Sequence, residues 1–159
     1  MKSMTKRQSA TDNLTLLHLH FASDPESVGS ALESTMTVLA TLELSDDDQS
    51  TSELILTEAI NNIVDHAYHE SLDGPIELIL VRAESHVHCD LTDKGYPMPA
   101  GNIPAQKTHD LNCAVANLPE GGFGWNIIRE LGKNIKYRRL NGENHLSFDL
   151  YFKDLAIGN

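Results

Sequence analysis

The hydrophobic positions along residues 53–69 recur at intervals of three and four. This spacing places one face of a helix against a core. The apolar stripe is formed by Leu56, Ile60, Ile63 and Ala67. The pattern therefore predicts one long helix that is buried along one side.

Three polar residues of this helix, Glu58, Asn62 and His66, are each four positions apart. Each step of four turns only about 40° around a helix axis, so these side chains lie along one adjoining stripe. A carboxylate and an amide oxygen one turn apart can hold a divalent cation and act on a proton beside it. An ordinary solvated helix face has the same spacing, so this segment alone leaves both interpretations open.

The chain before this helix contains two further predicted elements. Residues 14–21 alternate loosely and are rich in β-forming side chains, which predicts a strand. Asp24 and Pro25 have the chemistry of an N-cap and a first helical position, so a helix should begin there and end near residue 43. Ser45 then starts an approximate capping box for the long helix.

The second half of the chain predicts four more strands and a short helix. The strands are expected at residues 76–81, 87–91, 136–140 and 145–151. Asn141 and Gly142 supply the turn of a closing hairpin, and the helix is expected at residues 125–131. The element order indicates an α+β fold with one domain over residues 13–159 and a mobile arm over residues 1–12.

The segment 98–121 has no strong periodicity apart from a short helix predicted at residues 111–116. A connection of this length inside a small domain is usually functional or mobile.

Charge and composition exclude several classes of function. The 159 residues include 12 basic and 23 acidic side chains, a formal net charge of −11. Direct binding of nucleic acid is not expected, because phosphate contacts need a basic face, whereas a basic protein partner would fit. No apolar run approaches the roughly 20 residues of a membrane span, and the start lacks the apolar core of a secretory signal. Two cysteines without metal-ligand spacing favour a reduced cytoplasmic setting.

The eight histidines raise the question of a metal site. His18 and His20 alternate on one predicted strand, as do His86 and His88 on another. No cysteine or acidic cluster accompanies them along the sequence, so a zinc site is disfavoured.

Asp93 and Gly95 stand at the end of a predicted strand. Asp93 could accept a hydrogen bond from the exocyclic amine of adenine, and Gly95 has no Cβ to keep a base from the backbone. A plain turn has the same composition.

The glycines at positions 121, 122 and 124 precede the short predicted helix. Such an arrangement can present backbone N–H groups and a helix dipole to phosphate oxygens, or serve as the hinge of a lid. The spacing matches neither a Rossmann fingerprint nor a Walker loop.

Taken together and in order, residues 57–68, 93–97 and 120–128 resemble the N, G1 and G2 boxes of the GHKL ATPases. Within that class the chain is most similar to the small anti-sigma-factor serine kinases of bacterial partner-switching systems. The resemblance covers roughly residues 12–152. It implies the GHKL (Bergerat) ATP-binding fold, a two-layer α/β sandwich in which a mixed, mostly antiparallel sheet packs on helices, with an ATP lid at about 98–121.

The resemblance also implies roles for individual residues. Glu58 corresponds to the catalytic base and Asn62 to the Mg²⁺ ligand. The positions implied in binding ATP or ADP are Asn62, Asp65, His66, Asp93, Gly95, Gly122, Phe123 and Gly124.

The function implied by the resemblance is that of an ATP-dependent serine kinase and anti-sigma factor. It would phosphorylate a STAS-domain anti-anti-sigma protein, sequester a sigma factor or another regulator, and form a homodimer. One departure is that Lys107 is the only basic residue between Lys94 and Arg129, where some relatives carry a lid arginine. Slow or lost transfer therefore stays open, and the alternative is a non-catalytic, nucleotide-gated protein-binding module.

Overall fold

The computed structural model describes residues 13–105, 123–153 and 155. The first half contains β1 (Leu14–Ala22), α1 (Pro25–Ala40), α2 (Asp46–Asn62), a π-helical turn (Ile63–Ala67), β2 (Pro75–Arg82) and β3 (His86–Asp93). A 3-10 turn (Pro99–Gly101), α3 (Phe123–Leu131), β4 (Lys133–Leu140) and β5 (Glu143–Tyr151) follow. The predicted arm at 1–12 and the predicted helix at 111–116 lie outside the described residues.

The five strands form one sheet in the order β1-β2-β3-β5-β4, and each neighbouring pair is antiparallel. The predicted closing hairpin is confirmed. Its turn residues, Asn141 and Gly142, have φ angles of 53° and 81°, the left-handed region that a tight hairpin turn favours. The resemblance implied a mixed, mostly antiparallel sheet. Among the described strands, every neighbouring pair is antiparallel.

All three helices contribute to one core on a single face of the sheet. Along β3, Val87, Cys89 and Leu91 point inward and are buried, while the residues between them face outward. The inner face of the sheet packs against Ile55, Leu56 and Ile60 of α2 in the same core. The helices thus form the second layer of a two-layer sandwich, as the resemblance implied, and the α+β class predicted from the element order is confirmed.

Both predicted helix starts have the expected caps. Asp24 accepts a hydrogen bond from the backbone N–H of Ser27 at 2.9 Å, and Ser45 accepts one from the N–H of Asp48 at 3.1 Å. Each cap satisfies one of the free N–H groups of the first helical turn. No helix within the described ranges is both long and apolar enough to cross a membrane.

The end of α2 differs from the uniform helix that its periodicity predicted. After Asn62 the helix widens into the π-helical turn, which the Tyr68 N–H closes on the carbonyl of Ile63. The carbonyl of Ala67 accepts a hydrogen bond from the Tyr96 N–H at 2.8 Å. This long-range bond joins α2 to the loop after β3, and a sequence period cannot reveal it.

Gly95 lies directly against this turn. A Cβ at Gly95 would lie 2.6 Å from the carbonyl carbon and 2.7 Å from the Cβ of Ala67. Real Cβ atoms do not approach so closely, and the backbone of the turn has little freedom to move away. The lack of a side chain at Gly95 therefore has a packing reason that the sequence did not suggest.

Replacing Gly95 with alanine should lower the free energy of unfolding by about 1–3 kcal/mol, the usual cost of overpacking. Gly29→Ala in α1 is the matched control, because nothing lies within 4 Å of its added Cβ. That change should stabilise the helix by about 0.5–1 kcal/mol. Denaturant unfolding without nucleotide measures both, and equal stabilities of the two variants would contradict the packing role of Gly95.

Candidate functional site

A cavity of about 510 Å³ opens between the end of α2, the loop after β3 and the start of α3. This volume is in the range of small-molecule sites in proteins. Much of its wall is apolar, with Met98, Trp125 and Leu146 among the lining residues. The polar exceptions include Asn62 and Asp93, which come from different elements.

Asp93 is the last residue of β3 and is only 4% exposed. Its Oδ1 accepts hydrogen bonds from the Gly95 N–H at 2.9 Å and from Asn144 Nδ2 at 2.7 Å. Both bonds engage Oδ1, so Oδ2 receives no hydrogen bond from the described residues and can accept one from a ligand. Burial raises the pKa of the Asp93 carboxyl, and these two donors oppose the shift.

Asn144 holds this carboxylate and was missed by the sequence analysis. It is 3% exposed, and its Nδ2 also donates to the carbonyl of Tyr96 at 3.0 Å. Its Oδ1 accepts from the Tyr137 hydroxyl and from Arg139 Nη1, both at 2.7 Å. Both ends of the amide are therefore satisfied, as a buried polar group requires.

The same cluster holds the loop after β3 at further backbone points. Arg139 Nη1 donates to the carbonyl of Gly95 at 2.9 Å, and the Tyr137 hydroxyl accepts from the Met98 N–H at 3.0 Å. The sequence position of Asn144 could have indicated this role. Tyr137, Arg139 and Asn144 share the strand face that carries Leu146 into the core. Polar residues on the inward face of a hairpin indicate a buried polar network.

Glu58 and Asn62 of α2 meet α3 at Gly124. A Cβ at Gly124 would lie 2.7 Å from Glu58 Oε2 and 3.4 Å from Asn62 Oδ1, so the glycine leaves room for the Glu58 side chain in this position. Asn62 Nδ2 is buried, and within the described ranges it has no hydrogen-bond partner. The space at Gly124, beside this buried side-chain amide of Asn62, fits a polar ligand group such as a phosphate with its cation.

Three of the predicted site residues, Asn62, His66 and Asp93, line the cavity, and Glu58 and Gly124 adjoin Asn62 without lining it. His66 lines the cavity beside Asn62, whereas Asp65 is exposed and does not belong to the cavity wall. Phe123 begins α3, and Gly122 lies outside the described residues.

The predicted lid at 98–121 is described as far as residue 105, and its remainder lies outside the described residues. Met98, Pro99, Pro104 and Ala105 of this segment line the cavity. Arg129 of α3 donates to the carbonyls of Ile103 and Pro104, which connects the start of the segment to α3.

The geometry suits a purine nucleotide. A buried carboxylate stands at the end of β3, a carboxylate–amide pair meets the first turn of α3, and both belong to the surroundings of one cavity. An acceptor pairs with the amine of adenine, while the free N–H groups of a helix start favour phosphate oxygens.

Comparison with known proteins defines the class. A family profile described as "Histidine kinase-like ATPase domain" matches residues 21–150, and the chain belongs to this family. Membership in this family of ATPase domains implies that the chain binds ATP.

Two relatives carry kinase names. The chain is 26% identical over 131 residues to "Serine-protein kinase RsbW" of Oceanobacillus iheyensis, covering 82% of this chain and 83% of the relative. It is 30% identical over 97 residues to "Serine/threonine-protein kinase BtrW" of Bordetella bronchiseptica, covering 59% of this chain and 64% of the relative. The resemblance to serine kinases is thereby confirmed.

Because the pKa of Asp93 is raised, we expect Asp93→Asn to have opposite effects on the stability of the fold and on ATP binding. The folded chain holds this proton more tightly than the unfolded chain, so the free energy of unfolding falls as the pH rises from the ordinary carboxyl pKa through the raised one. Asp93→Asn has no carboxyl group to ionise, so it avoids this fall in the free energy of unfolding. Its amide keeps an Oδ1 that can accept the same hydrogen bonds. At neutral pH the variant should be at least as stable as the wild type, with its relative stability increasing from acidic to neutral pH. Its affinity for ATP should fall roughly ten- to a hundredfold.

Asn144→Ala is the contrasting variant, because it leaves the buried carboxylate without its side-chain donor. Both affinity and stability should then fall, the latter by about 1–3 kcal/mol. Calorimetry with ATP and denaturant unfolding measure the two quantities. An Asp93→Asn protein that is clearly less stable than the wild type at neutral pH, or that binds ATP equally well, would contradict this account.

Proposed function

We propose that the protein is an ATP-dependent serine/threonine-protein kinase that also acts as an anti-sigma factor in a partner-switching system. The observation that carries the proposal is the meeting of Glu58, Asn62 and Gly124 beside the cavity that contains Asp93. The kinase names of the two relatives support it.

The adenine would bind at the Asp93 end of the cavity. Oδ2 of Asp93 would accept a hydrogen bond from the N6 amine, while the bonds from Asn144 and Gly95 hold the carboxylate in place. Guanine presents a carbonyl oxygen at the corresponding ring position, which would face a carboxylate acceptor. The site should therefore prefer ATP and ADP to GTP.

The phosphates would bind where α2 meets α3. Asn62 would hold Mg²⁺ through its side-chain oxygen, and the backbone at Gly122 and Gly124 would donate to phosphate oxygens. When bound, Mg²⁺ neutralises charge on the phosphates. Asp65 and His66 are the remaining proposed contacts, and of these only His66 lines the cavity.

Glu58 would act on the incoming serine. A carboxylate within hydrogen-bond reach of the hydroxyl can orient it and accept its proton as the phosphoryl group is transferred. The proposed substrate is a serine of a STAS-domain anti-anti-sigma protein. A sigma factor or similar regulator is the proposed second partner, and a homodimer is the proposed assembly.

A specific observation favours one alternative, a non-catalytic module whose nucleotide gates protein binding. None of the described residues that line the cavity is a lysine or arginine. Arg129 is engaged with the carbonyls of Ile103 and Pro104 instead. A cation near the transferring phosphoryl usually stabilises the transition state, so its lack would slow transfer.

Glu58→Gln separates chemistry from binding. The amide keeps the size of the side chain but removes its basicity, so Mg·ATP should still bind while phosphotransfer falls by ~10²–10⁴-fold. The measurement is transfer of radiolabelled phosphate from ATP to a co-purified partner, with calorimetry of Mg·ATP binding alongside.

Asn62→Ala is the matched control one helical turn away. It should weaken Mg²⁺-dependent nucleotide binding and transfer together. Equal transfer by wild type and Glu58→Gln would remove Glu58 as the base. Nucleotide binding by the wild type without transfer to any partner would support the binding module instead.

A further inference from the structure

The outer face of the sheet, opposite the helices, brings together three side chains that are distant in sequence. His18 and His20 are two residues apart on β1 and therefore project from the same face. Glu77 of β2 is the cross-strand partner of His20 and lies 59 residues after His18. The structure thus supplies the carboxylate that the sequence alone did not place beside these histidines.

The three side chains converge on one point. His18 Nε2 lies 2.6 Å and His20 Nε2 lies 3.6 Å from the same oxygen, Glu77 Oε1. One ligand atom from each residue lies within 4.8 Å of the other two. The two imidazole rings are 4.8 Å apart and inclined at 47°.

We propose that His18, His20 and Glu77 form a binding site for a divalent transition metal, with Zn²⁺ as the best-fitting ion. Two imidazoles and one carboxylate are a known ligand set for Zn²⁺ sites that keep a position open. At bond lengths of about 2.0–2.2 Å, tetrahedral ligand atoms are about 3.4 Å apart. The observed separations, from 2.6 Å to at most 4.8 Å, bracket that spacing.

The proposed metal site is open to solvent and lies apart from the nucleotide cavity. The side chain of His20 is 70% exposed and that of His18 is 49% exposed, so water can complete the coordination shell. The formal net charge of −11 favours the approach of a cation. Asp93 points to the opposite, inner face of the sheet, so the metal site is separate from the nucleotide cavity.

A second histidine group on the same face, His86 and His88 with Asp90 and Asp149, provides an internal comparison. His88 places Nδ1 2.5 Å from Asp149 and Nε2 3.1 Å from Asp90, so its two ring nitrogens engage different carboxylates. Within the described ranges, these residues do not bring three ligand atoms to one point as the His18 group does. His88→Gln is therefore a matched control, because it removes a histidine from the same face of the sheet without removing a ligand of the proposed site.

The test is a calorimetric titration of untagged, metal-stripped protein with ZnCl₂, without nucleotide. The wild type should bind one Zn²⁺ at this site. His20→Gln and Glu77→Gln should each weaken that binding by at least about tenfold, since loss of even an outer partner of a ligand can cost this much. His88→Gln should leave the affinity unchanged, and NMR of the imidazoles should show His18 and His20 perturbed by Zn²⁺.

The proposal would be overturned by a wild type that shows no Zn²⁺ binding, or by His20→Gln and Glu77→Gln proteins that bind as tightly as the wild type. Loss of binding in His88→Gln instead would move the site to the second histidine group. Circular dichroism of each variant checks that the fold is kept.

Discussion

The hydrogen bond from Asn144 to Asp93 is the interaction on which the site depends. Burial at the end of the central strand β3 disfavours the charged carboxylate and raises the pKa of Asp93, and Asn144 opposes that effect through a 2.7 Å bond. The same amide accepts from Tyr137 and Arg139, which in turn hold backbone atoms of the loop after β3. The buried amide of Asn144 thereby connects the closing hairpin to Asp93, the acid proposed to bind adenine. The arrangement requires a charged group to be buried, which is unfavourable by itself.

A second constraint joins the two ends of the cavity. The π-helical turn after Asn62 presents the carbonyl of Ala67 to the Tyr96 N–H, and Gly95 packs against that turn without a Cβ. At the other end, Gly124 allows α3 to approach Glu58 and Asn62. Gly95 thus packs against the π-helical turn and Gly124 against α2 itself. A ligand spanning the cavity would contact the loop after β3 and α3, each positioned by the same helix.

The local parts of this fold were readable from the sequence because their causes are local. The caps at Asp24 and Ser45, the alternation of β2 and β3, and the left-handed turn at Asn141 each depend on a few neighbouring residues. The residue pattern and the resemblance also indicated Glu58, Asn62 and Asp93. What they could not show arises from long-range contacts: the π-helical turn, the packing reason for Gly95, Asn144 as the partner of Asp93, and Glu77 beside His18.

The central claim is that the chain binds adenine nucleotides through Asp93 as held by Asn144. Its most direct test is NMR of ¹⁵N-labelled wild-type protein, titrated in parallel with ATP, ADP and GTP. The side-chain amide of Asn144 and the backbone amide of Gly95 both donate to Asp93 Oδ1, so they report on the carboxylate itself. The account predicts that both signals shift with ATP and ADP and stay unchanged at equal concentrations of GTP. Equal shifts with GTP, or ATP binding that leaves both signals unmoved, would contradict it.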